Sequence, residues 1–274
     1  MRGAARRRNL LSYKLSGRRP WTQGYFEYKW QQIEEALHNP RSMAAFREDG
    51  PLPSGFGVRI DERIVEYPWL LAHMPEGPAR LLDAGSALNF ETIITHSKFT
   101  EKKVTIANLN PEPNCFWKRG ISYVFEDIRA LPFLPESFDL ITCISTLEHV
   151  GMDNKIYTKD ASYNEKKAAD YIVALEELKR VLAPGGVLFL TVPFGKYGDF
   201  GFFQQFDSAM LVKVVAAFGP TTHTTTFYRY GDGGWQIGSE EECASAAYVT
   251  ADMAKTSATL PAAAGAVVCL TLTK

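Results

Sequence analysis

The sequence predicts an α/β protein with a doubly wound, Rossmann-like sheet of seven strands, mostly parallel with an antiparallel last strand. From Ala79 onward, short apolar runs alternate with helical stretches. The runs are apolar on both faces, which is typical of parallel strands covered by helices on both sides. With 274 residues, 46% of them hydrophobic, the chain can form one large domain and an added element.

Seven apolar runs are the predicted strands. They are RLLDAG (80–85), KVTIAN (103–108), ISYVFED (121–127), FDLITCIST (138–146), GGVLFLTVP (185–193), TTTFYRY (224–230) and AVVCLTLTK (266–274). Each run is short and bounded by polar residues, glycine or proline, as strands in such a sheet are.

Three stretches have helical periodicity. The spacing of apolar residues predicts a helix over Gly24–His38, which Asn39-Pro40 ends. A short second helix is predicted from Pro68 to about His73, with proline in the first turn. The clearest crossover helix is Glu165–Leu182, followed by the helix-stopping residues APGG.

The charges are unevenly distributed. Residues 1–20 carry seven basic side chains and no acid, which leaves 23 basic and 31 acidic residues in the remainder. We therefore predict a basic mobile tail over 1–20, a helical extension or lid over 21–76, and the main domain over 77–274. The tail could contact nucleic acid or anionic lipid, but an acidic body argues against a nucleic-acid partner.

Two classes of protein are excluded by simple counts. No run approaches the roughly 20 apolar residues that span a bilayer, and no secretory signal is recognisable, so a cytoplasmic location is expected. The four cysteines, Cys115, Cys143, Cys243 and Cys269, form no CxxC pair. This spacing predicts reduced thiols and neither a zinc site nor a disulfide scaffold.

In a doubly wound sheet, ligands bind beyond the carboxyl ends of the strands. The first predicted strand ends in Asp83-Ala84-Gly85, where the glycine lets a ligand approach the backbone closely. A dinucleotide site would need the fuller pattern GxGxxG. Only Gly85 is present, and this argues against NAD or FAD.

Three segments together resemble a known family. They are LLDAGS (81–86), FEDIRALPFLPESFDLITCISTLEHVG (125–151) and LEELKRVLAPGGVLFLTVP (175–193). In this order and spacing they resemble class I S-adenosylmethionine-dependent methyltransferases of the methyltransferase domain 11 type. The segments YFEYKW (25–30), TLEHVGMDN (146–154) and VPFGKYGDFGFFQQFD (192–207) also resemble those of bacterial members found near sugar and surface-glycan genes.

The resemblance implies a set of cofactor-binding residues. The loop around the methionine moiety corresponds to Asp83, Gly85, Ser86 and Ala87. The position of the acid that grips the ribose hydroxyls is occupied by Asn108, an amide without the charge that strengthens such a bond. Asn110 or Glu112 could replace it.

The same resemblance places the adenine and sulfonium sites. Asp127 corresponds to the acid that accepts from the adenine amino group, beside the Ile128 N–H. Ser145, Thr146 and Leu147 lie near the sulfonium. From the residues alone, Asp83 and Asp127 could instead be loop caps, and Asn108 a turn residue before Pro111.

Glu148 and His149 are the candidate catalytic residues. Methyl transfer needs a base only when the acceptor must lose a proton, and histidine is suited to that role near neutral pH. His149 could instead cap a helix or bond a backbone carbonyl. A metal site from Glu148, His149 and Asp153 fits no known ligand spacing, so no metal is predicted.

Aromatic residues near two strand ends could line a substrate pocket or pack in the core. One set is Phe200, Phe202, Phe203 and Phe206, and another runs from Phe227 to Trp235. A third set in the N-terminal extension could form a lid: Trp21, Tyr25, Tyr28, Lys29 and Trp30. Such sets suit a sugar or another planar amphipathic substrate.

The sequence thus predicts an enzyme that transfers a methyl group from S-adenosyl-L-methionine to a small-molecule acceptor, with a sugar or glycan-precursor hydroxyl favoured. Two alternatives stay open. One is a catalytically inert methyltransferase-fold protein that acts in binding or assembly. The other is an NAD(P)-dependent sugar-modifying enzyme.

Overall fold

A computed structural model describes residues 2–15, 17–257 and 259–274. The chain divides into two compact units, one of Met1–Met74 with Thr226–Val267 and one of Pro75–Thr225 with Val268–Lys274. The predicted continuous domain over 77–274 therefore needs correction, because residues 226–267 group with the N-terminal segment. Hydrogen bonds hold them there: Trp235 Nε1 donates to the Ile60 carbonyl at 2.9 Å, and Thr226 Oγ1 to Asp49 at 3.1 Å.

The elements are as follows. The helices are α1 (Arg2–Leu15), α2 (Tyr25–His38), α3 (Pro40–Arg47), α4 (Arg63–His73), α5 (Glu91–Ile94), α6 (Lys155–Thr158), α7 (Tyr171–Val181), α8 (Ser208–Phe218), α9 (Glu240–Cys243) and α10 (Ala251–Thr256). The strands are β1 (Ala79–Ala84), β2 (Lys102–Asn108), β3 (Ser122–Phe125), β4 (Phe138–Ile144), β5 (Leu182–Pro193), β6 (Gly198–Asp199), β7 (Gln204–Gln205), β8 (Thr222–Gly231), β9 (Gly234–Gly238) and β10 (Ala266–Thr273). Single 3-10 turns occupy Ser97–Phe99, Trp117–Arg119, Leu147–His149 and Ala161–Tyr163.

The main sheet has the order β3-β2-β1-β4-β5-β10-β8-β9. All seven predicted runs are strands of this sheet, but the prediction of seven strands is wrong by one. The additional strand, β9, pairs with β8 in an antiparallel hairpin closed by Gly231 and Gly234. The glycine-rich turn GDGG (231–234) allows this tight reversal.

The first five strands of the sheet are parallel to one another, with β1 paired to β2 and β4, β2 to β3, and β4 to β5. Their carboxyl ends consequently lie at one edge. β10 runs antiparallel to β5, because Lys274 at its end exchanges backbone hydrogen bonds with Gly185 and Gly186 near the start of β5. The predicted antiparallel last strand is confirmed. Strands β1, β4 and β5 form the centre of the core, and Leu82, Ile141 and Leu190 are completely buried there.

The helix predictions are confirmed in place and corrected in extent. α2 matches Gly24–His38, but Asn39 also caps a helix that was not predicted, α3, by accepting from the N–H groups of Arg41 and Ser42. α4 begins five residues before Pro68, because Asp61 Oδ1 accepts from the N–H of Arg63 at its start. α7 is shorter than Glu165–Leu182, because Glu165 is bonded to Arg129 outside the helix.

The segment predicted as a basic mobile tail contains a helix, and its mobility stays a prediction. Residues 2–15 are helical, and Tyr13 is fully buried against the rings of Tyr25 and Tyr28, with centroids 6.1 and 5.3 Å away. Burial of an aromatic ring opposes detachment of the helix. Met1 and Ser16 of the predicted tail lie outside the described residues.

The cysteines and the helices bear on two predictions made from composition. Cys143, Cys243 and Cys269 are buried, and Cys115 is exposed. Across residues 2–15, 17–257 and 259–274, none of the helices has the length and apolar content needed to cross a membrane.

A cluster of acids in the first unit predicts a pH-dependent stability. Desolvation, reinforced by Asp61 and Glu66 and only partly offset by Arg63, raises the pKa of Glu62 from 4.5 to about 7. Between these values the native state holds a proton that the unfolded state releases. The free energy of unfolding therefore falls as pH rises through this window, by at most about 3 kcal/mol.

We expect Glu62→Gln to remove this part of the pH dependence, because glutamine carries no titrating proton. Urea unfolding of the wild type and the variant at pH 5 and pH 8 measures it. Glu34→Gln, at an exposed position, is the control and should retain the wild-type difference. Equal pH dependence in the wild type and Glu62→Gln would contradict the prediction.

Candidate active site

The candidate site lies at the carboxyl edge of the five parallel strands. The sheet order places the end of β1 between the ends of β2 and β4. The loop after β1 therefore has the Asn108 segment on one side and the Ser145 segment on the other. This is the position at which a doubly wound sheet binds ligands.

Asp83 holds the shape of the loop after β1. Its side chain is completely buried, and its carboxylate accepts from the N–H of Leu88 at 2.8 Å and from Thr142 Oγ1 at 3.0 Å. These bonds fix the first turn of the loop to β4. Of the two roles that the sequence left open for Asp83, the structure shows the loop cap.

Position 85 has no room for a side chain, because the side chain of Thr146 lies against it. Its φ is +106°, and a Cβ built on it would lie 2.1 Å from Thr146 Oγ1 and 2.2 Å from Thr146 Cγ2. From the sequence, glycine is expected at position 85 because a ligand approaches the backbone closely there. The structure gives a sufficient reason within the protein, namely contact between the loops after β1 and β4.

Glu112 makes the main polar contact of the loop. It accepts from Ser86 Oγ at 2.6 Å and from Asn89 Nδ2 at 2.8 Å. Asn89 also donates to the Asn114 carbonyl and accepts from the Tyr123 hydroxyl at 3.0 Å. A carboxylate from the segment after β2 is thus bonded directly to the loop after β1. Ser86, like Ala87 beside it, is almost fully buried and has a φ of +63°.

Asn108 forms only local bonds by its side chain. Its Oδ1 accepts from the N–H of Leu109 at 3.0 Å, and its Nδ2 donates to the Asn110 carbonyl at 3.2 Å. This is the behaviour of a turn residue, the alternative that the sequence analysis left open. In the same segment, the carboxylate that bonds the loop after β1 is that of Glu112.

Asp127 belongs to an ion-pair cluster centred on Arg129. Its carboxylate accepts from the Arg129 backbone N–H at 2.8 Å and from two guanidinium nitrogens at 2.6–3.1 Å. Arg129 also bonds Glu165 and Asp170, at 2.7 and 2.6 Å. These hydrogen bonds, first of all that to Asp127, raise the pKa of Arg129 despite its desolvation. The cluster joins the loop after β3 to the start of α7.

The residues after β4 are held by β5. The N–H of Ser145 donates to both the carbonyl and the Oγ1 of Thr191, each at 3.0 Å. Ser145 has a φ of +39°, a conformation that non-glycine residues rarely adopt. Thr146 and the buried Leu147 follow it into a single 3-10 turn that carries Glu148 and His149.

His149 is held in one orientation. Its Nδ1 lies 2.8 Å from the Phe202 carbonyl, and its ring contacts those of Tyr157, Phe202 and Phe203 at 5.4–5.9 Å. A carbonyl can only accept, so Nδ1 carries the proton and Nε2 is the basic nitrogen of the ring. Glu148, only 2% exposed, places Oε1 4.0 Å from Nε2. His149 can therefore both bond a backbone carbonyl through Nδ1 and act as a base through Nε2, although the sequence offered these roles as alternatives.

The third residue of the metal-site alternative is engaged differently. Asp153 forms an ion pair with Lys155 at 3.2 Å. Within the described ranges there is no group of three or more His, Cys, Asp or Glu side chains that could hold a metal ion.

Most of the predicted substrate-side aromatics pack inside their own unit. Phe203 and Phe206 are buried in the second unit, and Phe200 stacks on Phe203 with centroids 4.7 Å apart. Tyr228 and Trp235 are buried in the first unit. For these residues the structure shows packing.

The predicted lid residues also have structural partners. Tyr25 and Lys29 both donate to Asp61, each at 2.8 Å, and Tyr28 is buried beside Tyr13. Trp21 donates to the Ala262 carbonyl, and Trp30 stacks on Tyr67. The lid function itself stays a prediction.

Residues 82–190, less than half of the chain, match the family model of a methyltransferase domain. No curated protein matches the chain. Two solved structures illustrate its similarity to known proteins. One is the 1,6-didemethyltoxoflavin-N1-methyltransferase of Burkholderia thailandensis with bound 1,6-didemethyltoxoflavin and S-adenosylhomocysteine, at 15% identity over 77% of this chain and 76% of that chain, with a TM-score of 0.47. The other is a possible histamine N-methyltransferase of Thermotoga maritima. Its identity is 14% over 89% of this chain and 99% of that chain, and its TM-score is also 0.47.

The domain match agrees with the first interpretation of the sequence. The segment that it covers contains the loop after β1, Glu112, the Arg129 cluster and His149. The fold is the α/β Rossmann-like fold of methyltransferases. Residues 82–190 thus match a methyltransferase domain.

Proposed function

We propose that this chain transfers the methyl group of S-adenosylmethionine to a hydroxyl of a small acceptor, a sugar or glycan precursor being the favoured class. The observation that carries the proposal is the geometry of His149. Its bond to the Phe202 carbonyl fixes the ring so that Nε2 is the basic nitrogen, beside the end of β4, near which the cofactor's reactive group is expected. A base in this position suits an acceptor that must lose a proton.

The residues fit the cofactor if Glu112 holds the ribose in place of Asn108 and Asp127 holds the adenine. Glu112 supplies the carboxylate that Asn108 lacks, and its present partners are side chains, which can exchange for ribose hydroxyls. The Asp127 carboxylate accepts four hydrogen bonds from Arg129, two on each oxygen, so one of these bonds would have to give way to the adenine amino group. Ser86 and Ala87 would contact the methionine moiety.

When bound, the cofactor supplies a methyl group on a good leaving group, the sulfonium sulfur. The chain's own residues then have two tasks: positioning the acceptor oxygen in line with that methyl group and taking its proton. In the proposed step the oxygen–carbon bond forms as the carbon–sulfur bond breaks, and the proton passes to His149 Nε2. The Glu148 carboxylate, 4.0 Å away, stabilises the resulting imidazolium.

A second candidate is the catalytically inert binding protein. Both carboxylates proposed to hold the cofactor, Glu112 and Asp127, are bonded to protein donors. If these bonds are permanent, the loop is a closed structural unit and takes no cofactor. Binding of S-adenosylhomocysteine distinguishes the two candidates. The NAD(P) alternative has no comparable support, since the domain match is to a methyltransferase.

The role of Glu112 can be tested by substitution. We expect Glu112→Gln to weaken S-adenosylhomocysteine binding roughly tenfold, because a carboxylate accepts from ribose hydroxyls more strongly than an amide does. Calorimetric titration measures the change. Glu91→Gln, an exposed acid at the start of α5, is the matched control and should bind as the wild type does. Unchanged affinity in Glu112→Gln would remove this residue from the site.

A further inference from the structure

The outward face of α1 combines exposed leucines with basic residues. Leu11 is 62% exposed and Leu15 is 86% exposed. They lie four residues apart, so they are adjacent on one face of the helix. Arg7, Arg8 and Lys14 are exposed as well, and their spacing places them on either side of the two leucines.

The opposite face fixes α1 to the protein. Tyr13 is buried against Tyr25 and Tyr28, and Asn9 donates to Glu27 of α2 at 2.9 Å. In a helix, residues 11 and 15 point about 160° away from residue 13 on either side. The leucines are therefore held outward by the packing of Tyr13.

The charge around this face has one sign. Residues 1–20 contain seven basic and no acidic side chains. Arg18 and Arg19, exposed just beyond the helix, extend the basic region. A surface with this composition attracts an anionic partner.

We propose that α1 docks on an anionic lipid bilayer, lying in the interface with Leu11 and Leu15 inserted and the basic residues on lipid phosphates. An exposed leucine pair flanked by arginine and lysine is the arrangement of interfacial helices. Nucleic acid would also attract the charges. Its phosphate backbone, however, gives no stabilisation to two outward leucines, and the remaining 254 residues carry more acids than bases.

Co-sedimentation of the full chain with vesicles tests the proposal. The wild type is expected to bind phosphatidylcholine vesicles containing 30% phosphatidylglycerol, and to bind pure phosphatidylcholine far more weakly. Leu11→Ser/Leu15→Ser should lower the affinity at least tenfold, and Arg7→Gln/Arg8→Gln roughly thirtyfold at low salt. Val212→Ser on α8, where valine is 69% exposed, is the matched control and should bind as the wild type does.

Three results would overturn the proposal: equal binding to neutral and anionic vesicles, unchanged binding by the leucine double variant, or tighter binding to a DNA duplex than to anionic vesicles. Circular dichroism and S-adenosylhomocysteine binding of each variant show whether the fold is retained. The substituted side chains point to solvent, so both readouts are expected to stay at the wild-type level.

Discussion

Gly85→Ala is expected to lower the free energy of unfolding of the second unit by about 2–6 kcal/mol. The new Cβ would lie 2.1 Å from Thr146 Oγ1, and the φ of +106° is unfavourable for alanine. Backbone strain at such a position costs about 1–3 kcal/mol, and overpacking adds about 1–3 kcal/mol. Urea unfolding followed by circular dichroism measures the loss.

Two further variants separate the contact from the strain. Gly77 has a similar positive φ of +81°, and no atom lies within 4 Å of a Cβ added there. Gly77→Ala should therefore be destabilised by backbone strain alone. Replacing Thr146 by glycine removes all three of the atoms nearest to the Cβ of residue 85. In a double-mutant cycle, Gly85→Ala and Thr146→Gly should therefore show a favourable coupling. Simple additivity would mean that Thr146 does not set the requirement for glycine.

His149→Gln is expected to lower kcat by a factor of about 10²–10⁴ and to leave S-adenosylhomocysteine affinity unchanged. Glutamine cannot take the acceptor's proton, and loss of a general base has an effect of this size. Turnover is measured as S-adenosylhomocysteine formed with a panel of sugar and nucleotide-sugar acceptors.

His73→Gln is the matched control. His73 places Nδ1 2.9 Å from the Trp69 carbonyl, the same kind of contact that His149 makes with Phe202. It should retain wild-type turnover. A His149→Gln enzyme with full kcat would show that the imidazole is structural. Weaker cofactor binding in that variant would instead mean that the residue positions the cofactor.

The sheet could be predicted from sequence because its signal is local. Each of the seven predicted strands is a short apolar run, and such runs need only the sequence around them to be recognised. β9 was missed because GWQIG (234–238) is short, with only two apolar side chains between glycines, and depends on pairing with β8. α7 was overextended because the bond between Glu165 and Arg129 joins residues 36 positions apart.

The candidate site was predictable in position but not in its contacts. The segments of Asp83, Asp127 and His149 follow the ends of parallel strands, as the sequence predicts, and their part in a cofactor site stays a prediction. The partners of these residues, such as Thr142 for Asp83, come from other strands and leave no mark on the local sequence. The proposed role of Glu112 in place of Asn108 has one visible signal in the sequence, an acid four residues after the amide.

The central claim is that this domain binds S-adenosylmethionine at the carboxyl edge of the sheet. Calorimetric titration of S-adenosylhomocysteine into the full chain, with NAD titrated in parallel, tests it most directly. The account predicts one site per chain with micromolar affinity, weakened in Glu112→Gln, and no binding of NAD. A folded protein that binds no S-adenosylhomocysteine at millimolar concentration would contradict the account and favour the inert binding protein.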